Sequence, residues 1–232
     1  EILDGGLPPQ ATVMSWRGVS GGLKAISMGH DVIMSPNTHC YLDFYQDAPA
    51  FEPEAIGGYL PLSQVYSYDP VSRIPEEDAH HVLGVQGNLW TEYIFTEQQF
   101  EYMLYPRSFA IAEIGWSPKE RKDYSGFKER TASLTDVMKK KGYNVFDIRK
   151  EYGPRRESLT EGNHLAVGKP LTYNIKDSSP YIASGPQSLA DGRYGNWVYG
   201  DRWMGFRDDI DVTIDFGETT PVHYVTATFW HH

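Results

Sequence analysis

Over the first third of the chain, apolar positions come in short, nearly unbroken runs. Residues 11–16, Ala-Thr-Val-Met-Ser-Trp, form one, ended by Arg17-Gly18. Residues 31–35, Asp-Val-Ile-Met-Ser, form a second, stopped by Pro36, and residues 82–90 a third. Runs that are apolar at consecutive positions suit strands buried on both faces, which predicts a parallel sheet covered by helices. Between the first two, after the Gly21-Gly22 turn, residues 23–29 fit a short helix. It ends at Gly29, the residue type that tolerates the left-handed position after a C-cap. Residues 37–60, dense in aromatics, Pro and Gly, read as loop.

Two longer helical patterns follow. Thr96 and Gln99 form a capping-box pair that opens a helix through about residue 116, with Pro106 kinking or restarting it. Residues 123–141 carry Phe127, Thr131, Leu134, Val137 and Met138 on one stripe. Lys139, Lys140 and Lys141 precede Gly142, a solvated cationic end that complements the helix dipole. After Tyr152-Gly153-Pro154 the texture changes, and no helical period runs through residues 155–232. Short stretches at 171–175 and 211–216 remain. In the latter, Val212, Ile214 and Phe216 alternate with Thr213 and Asp215, the half-buried strand pattern. This predicts a second, all-β domain beginning near residue 160.

Composition narrows the class. The chain of 232 residues is 40% hydrophobic and 22% charged, as folded proteins are. Its net charge of −10 comes from 31 acids against 21 bases, with both parts acidic, so no phosphate-tracking surface and no nucleic-acid partner is expected. No run approaches the ~18 apolar residues of a membrane span. Cys40 is the single cysteine, which excludes an intrachain disulfide and a Cys-rich zinc site. Residues 1–6 read as neither a signal peptide nor a capped helix start. His231-His232 fits a native end and the start of a tag equally, so neither terminus speaks to targeting.

Candidate chemistry gathers at the ends of the three apolar runs. The clusters are 14–18 (Met-Ser-Trp-Arg-Gly), 35–43 (Ser-Pro-Asn-Thr-His-Cys-Tyr-Leu-Asp) and 86–92 (Gln-Gly-Asn-Leu-Trp-Thr-Glu). In a parallel α/β barrel the site is built at that end of the strands. Trp16, Tyr41 and Trp90 offer flat faces for the C–H surface of a pyranose, and Asp43 and Glu92 accept from its hydroxyls. In an extended segment, Tyr41 and Asp43 share a side, as do Trp90 and Glu92. The rest reads more plainly. His80-His81 sits in a polar loop after Glu76-Glu77-Asp78 rather than in a metal site. His39 either packs or lines the site, Arg17 fits a rim ion pair, and Cys40 lacks a base and reads as buried packing. Residues 84–87 lack the ending of a phosphate loop.

These residues resemble a known family. Residues 14–18, Tyr41-Leu42-Asp43, Trp90-Thr91-Glu92, Tyr105-Pro106-Arg107 and residues 112–117 (Ala-Glu-Ile-Gly-Trp-Ser) are similar to the later half of the catalytic barrel of family-20 β-N-acetylhexosaminidases. The resemblance covers about residues 1–120. It implies an α/β fold, the C-terminal part of a (β/α)8 TIM barrel. Residues 11–16, 31–35 and 83–89 would be strands six, seven and eight, and residues 1–3 would follow strand five. It implies a glycoside hydrolase in which the substrate's own 2-acetamido oxygen attacks the anomeric carbon with overall retention. The family's Asp-Glu pair, at the end of strand four, and a third Trp would lie upstream, so the chain alone is expected to be inactive and to need the missing N-terminal half of the barrel. Tyr41 would be the catalytic group that donates to the acetamido oxygen. Trp16 and Trp90 would wall the pocket, and Asp43 and Glu92 would take hydroxyls near O4 and O6. No cofactor or metal enters this chemistry.

The later segment, with Leu189-Ala190-Asp191-Gly192, residues 203–206 (Trp-Met-Gly-Phe) and residues 211–217, is similar to discoidin-type, galactose-binding-like sandwiches. The organisation expected is therefore a partial barrel over 1–120, a helical extension and linker over 121–159, and a small, incomplete β-sandwich over 160–232. The partner expected is a glycan with a terminal N-acetylglucosamine or N-acetylgalactosamine. The family implies a periplasmic, cell-surface or secreted location. A non-catalytic glycan-binding protein is the rival reading, and an inactive structural fragment the third.

Overall fold

The first apolar run supplies β1 (Val13–Ser15), followed by α1 (Ser20–Ser27), β2 (Val32–Met34), α2 (Asn37–Cys40), α3 (Leu62–Ser67) and β3 (Val82–Val85). The structure, a computed structural model, describes residues 3–174, 178–207 and 209–230. The chain forms two compact units, Glu1–Tyr152 and Gly153–His232. In the first, β2 lies between β1 and β3 and all three run parallel, so their C-terminal ends share one edge. Val32, Met34, Leu42, Leu60, Val65, Ala110 and Ile114 fill the core around this sheet.

Ser15 ties β1 to α1. Val19, at the N-cap, has no side-chain acceptor for the helix. Ser15 Oγ instead accepts from the Gly22 N–H at 2.8 Å and donates to the Gly18 carbonyl at 2.8 Å. Residues 21–22, expected as a turn, are therefore helical. Gly29 at φ +82° closes α1, with His30 N donating to Ala25 O and Gly29 N to Ile26 O, the paired bonds of a Schellman end. A Cβ on Gly22 would stand 2.8 Å from Met34 Sδ and 3.1 Å from Ser15 Cβ. Gly22→Ala is accordingly expected to lower stability by about 1–3 kcal/mol in chemical denaturation, the usual cost of overpacking.

Other expectations shift. The third strand stops at Val85 rather than running to residue 90, because Gln86 and Asn88 turn their side chains into hydrogen bonds with each other and with Ser35. The 37–60 stretch holds α2 and a 3-10 turn at Pro49–Phe51. The supposed loop at 76–81 is a 3-10 helix, Glu76–His81, and His81 Nδ1 lies 2.9 Å from Asp31 Oδ1.

The helical half begins as the sequence indicates. Thr96 Oγ1 accepts from Gln99 N at 3.1 Å and opens α4 (Glu97–Leu104). Gln99 Oε1 reaches back to Phe95 N rather than Thr96 N. Pro106 separates α4 from α5 (Arg107–Trp116). α6 (Tyr124–Lys140) is capped by Asp123 and packs into the first unit, with Phe127 stacked on Tyr66 at 4.5 Å. Its buried face runs through Phe127, Thr131 and Thr135, whereas Leu134 and Val137 are exposed. The buried i, i+4, i+8 row is the less hydrophobic one: Phe127 packs on Tyr66, and α6 also lies against the Ile148–Lys150 turn.

In the second unit, β4 (Leu171–Tyr173), β5 (Ser178–Ile182), β6 (Met204–Phe206) and β7 (Val212–Ile214) pair as two antiparallel ribbons, β4 with β7 and β5 with β6. Val212 and Phe216 are half-buried but Ile214 is exposed, so the alternation there does not bury one whole face. Trp203 Nε1 donates to Asn196 O at 2.8 Å, and its ring lies against Gly195. Residue 175, in the stretch expected as a strand, and His231-His232 fall outside the described residues.

Candidate active site at the strand ends

Beyond their last paired residues the three strands stay laced together. Ser35 N donates to Ser15 O, Asn37 N to Trp16 O, and Gln86 N to Met34 O. Further out, Asn88 N donates to Cys40 O at 2.7 Å and Leu42 N to Asn88 O at 2.6 Å. Side chains close the same seam. Ser35 Oγ donates to Gln86 O, and Asn88 Nδ2 donates to Ser35 Oγ, both at 2.8 Å. Parallel strands bring their C-terminal ends to one end of the sheet. Trp16, Tyr41 and Trp90 therefore lie on segments that follow the three strands at that end.

Trp16 is 44% exposed, with the Arg17 guanidinium 4.6 Å from its ring centroid. Arg17 thus makes a cation–π contact with its neighbour rather than the expected ion pair. Trp90 is 52% exposed and Glu92 is exposed too. Tyr41 is half-buried, bridged to Asn88, with its ring 5.7 Å from Phe44. Asp43 is only 5% exposed. The segment is not extended: Phe44 N turns back to Tyr41 O, so the common-side argument for Tyr41 and Asp43 does not hold. The Trp90–Glu92 pair meets the same objection, because Ile94 N turns back to Thr91 O.

Asp43 and the third strand end nevertheless meet. Burial pushes the Asp43 carboxyl up, while its own amide, the Trp90 amide and the Arg107 charge pull it down and Glu92 pushes it up again. Asp43, Trp90 and Glu92 are therefore neighbours. Among the described residues Asp43 Oδ1 is buried without a hydrogen-bond partner. Two clefts of the first unit are lined by other residues, one by Phe109, Trp116, Phe127 and Leu134, the other by His39, Tyr66, Tyr68 and Lys122. Neither is lined by Trp16, Tyr41, Asp43, Trp90 or Glu92. His39 stacks on Tyr68 at 5.0 Å, and burial lowers its pKa, so its role is packing. Cys40 is fully buried and its thiol is pushed up to about 12.

Sequence reasoning missed the polar support beneath this rim. Arg107 is fully buried and donates to four carbonyls. Ser35 and Asn88 are buried as well, and their hydrogen bonds fix the seam. Glu52 accepts from Tyr102 Oη at 3.0 Å, and burial raises its carboxyl to about 7. Tyr105-Pro106-Arg107 stood out only as a motif of the resemblance; the physical signal was Arg at the first position of a helix, where a cation opposes the helix dipole.

Glu52 makes a pH prediction. Burial favours its neutral form, so between about 4.5 and about 7 the folded chain keeps a proton that the unfolded chain has lost. Stability therefore falls as pH rises through that window. In Glu52→Gln, the loss of stability between pH 5 and pH 8 should be smaller than in the parent by about 1–2 kcal/mol, after discounting for screening. Equal pH slopes in the two proteins would rule this out.

The parallel sheet with helices packed on it is an α/β arrangement whose solved neighbours have a TIM-barrel-type fold. The profile of Glycosyl hydrolase family 20, catalytic domain, matches residues 1–119, and the chain belongs to this family. It is 52% identical over 198 residues to a beta-hexosaminidase of Porphyromonas gingivalis, covering 82% of this chain and 26% of that protein. That share of the chain exceeds the first unit, so the likeness runs into the second. It is 36% identical over 110 residues to a beta-hexosaminidase of Vibrio furnissii, covering 46% of this chain and 18% of that protein. Among solved structures it resembles the Streptomyces plicatus N-acetyl-beta-hexosaminidase in complex with Thio-NAglucal. The TM-score is 0.57 at 28% identity, over 65% of this chain and 31% of that one. The chain thus spans about a quarter or less of the length of these two beta-hexosaminidases.

Proposed function

We propose that this chain is the C-terminal part of the barrel of an exo-acting β-N-acetylhexosaminidase, acting on terminal N-acetylglucosamine or N-acetylgalactosamine of glycoconjugates. The observation that carries the reading is the family match over residues 1–119, joined to a parallel β1–β2–β3 order with Trp16, Tyr41 and Trp90 at one end. In this reading the substrate's acetamido oxygen is the nucleophile, and an Asp-Glu pair upstream supplies the acid and orients the acetamido nitrogen. Tyr41 donates to the acetamido oxygen and holds it for attack. Trp16 and Trp90 enclose the ring and the acetamido methyl. Asp43 and Glu92 accept from hydroxyls near O4 and O6. The second unit is a discoidin-like module, and the enzyme works in the periplasm, at the cell surface or outside the cell.

Calorimetry tests the pocket. N-acetylglucosamine should bind in preference to glucose, and Tyr41→Phe should erase that preference. Binding untouched by Trp90→Ala but lost on removing residues 160–232 would instead favour a glycan-binding protein. The 232-residue chain alone is expected not to hydrolyse a chromogenic N-acetylglucosaminide, since a missing general acid typically costs about 10²–10⁴ in rate. Clear turnover would overturn the assignment of the acid to an upstream segment.

A further inference from the structure

The Tyr105-Pro106-Arg107 motif has no part in the mechanism just described, yet Arg107 is the largest fully buried side chain of the first unit. No carboxylate lies within ion-pair distance of it among the described residues. Its Nη1 donates to Phe44 O at 2.8 Å and Leu60 O at 3.1 Å, and its Nη2 to Leu42 O at 2.5 Å and Met103 O at 2.8 Å. A buried arginine ordinarily meets an acid. Here four backbone dipoles stand in for one. Two of them, Leu42 and Phe44, flank Asp43, Leu42 follows Tyr41 directly, and Met103 belongs to the last turn of α4.

We propose that Arg107 is a positioning residue for substrate recognition: its guanidinium grips the carbonyls on either side of Asp43 and fixes where that carboxylate and the Tyr41 phenol stand. This rests on the hexosaminidase reading for what the two groups do, but not for the grip itself. The planar fork matters. Lysine keeps the charge but offers three donors from one point, which cannot span four carbonyls spread over two helices' ends and a loop. The grip also explains why the chain turns at residues 41–44 instead of continuing the strand. Both carbonyls point inward to one cation, so the intervening Asp43 is folded into the rim.

The test uses the full-length enzyme that carries this chain, with Arg107→Lys. Amide hydrogen exchange at Leu42, Phe44 and Leu60 should rise by about tenfold or more relative to α6 amides such as Thr135, since charge-assisted bonds are lost. Exchange that rises equally everywhere, or not at all, overturns the proposal. A second measurement reads recognition. The parent enzyme should hydrolyse 4-deoxy or 6-deoxy N-acetylglucosaminides with kcat/KM about tenfold lower than the intact sugar, and in Arg107→Lys that penalty should shrink to about threefold or less. An equal fall on intact and deoxy substrates marks a merely structural role and overturns it. If Arg107→Lys does not fold, an ester in place of the Phe44–Tyr45 amide weakens one gripped carbonyl and leaves Arg107 in place; the same two shifts are expected, and their absence overturns the proposal. Failure of the parent to hydrolyse any N-acetylglucosaminide would sink the hexosaminidase reading, while the exchange result still decides the grip.

Discussion

Arg107→Met is expected to lower the stability of the first unit by about 4 kcal/mol or more. Methionine keeps much of the apolar stem's volume, so the loss comes from polar groups. Four carbonyls, of Leu42, Phe44, Leu60 and Met103, lose their donor together. Each buried acceptor left unpaired costs about 1–3 kcal/mol, and partial relaxation of the loop keeps the sum below the simple total. Burial pulls the guanidinium down to about 9, which still leaves it charged at neutral pH, so the native bonds are charge-assisted ones. Denaturant titration followed by exchange at α4 and α5 amides would measure the change. A loss under about 1 kcal/mol would mean that water replaces the guanidinium, and the carbonyls would not be buried in the sense argued here.

Tyr41→Phe, in the full-length enzyme, is expected to lower kcat/KM for a chromogenic N-acetylglucosaminide by about 10²–10³, the usual effect of removing one preorganised donor to an oxygen whose charge changes in the reaction. The backbone around Tyr41 should not move, because its position comes from the bridge to Asn88 and the packing against Phe44 rather than from the hydroxyl. Stability should therefore change little. The decrease should vanish for substrates cleaved without acetamido participation. An unchanged rate on the acetamido substrate would remove Tyr41 from the chemistry.

The chain announces some of this plainly and hides the rest. The β1, β2 and β3 runs are apolar at successive positions, and that signal is local, but the expected burial on both faces holds best for β2, since Met14 in β1 and Leu83 in β3 are 43% and 58% exposed. Thr96, Gly29 and Pro106 act through their own backbone neighbours, so the ends of α1, α4 and α5 fall close to where these residues indicate. The turn at Tyr41–Phe44 was not legible, because its cause is a guanidinium 65 positions away from Leu42. The buried face of α6 was misjudged for a similar reason. Leu134 and Val137 are more hydrophobic than Thr131 and Thr135, but what stands opposite the helix, Tyr66 at Phe127 together with the Ile148–Lys150 turn, decides which row is covered. Of the candidate site, the residue types at the strand ends were readable, while the polar seam of Ser35, Gln86 and Asn88 depends on a register that no single run reveals.

The burial of Cys40 gives the molecule a built-in clock. It is the chain's sole sulfhydryl, sits at the end of α2 beside the seam, and is almost wholly protonated while the fold is closed. Alkylating reagents attack the thiolate. The rate at which iodoacetamide labels the native protein therefore counts the excursions that expose this edge of the sheet, one position before Tyr41, without any label having to be engineered.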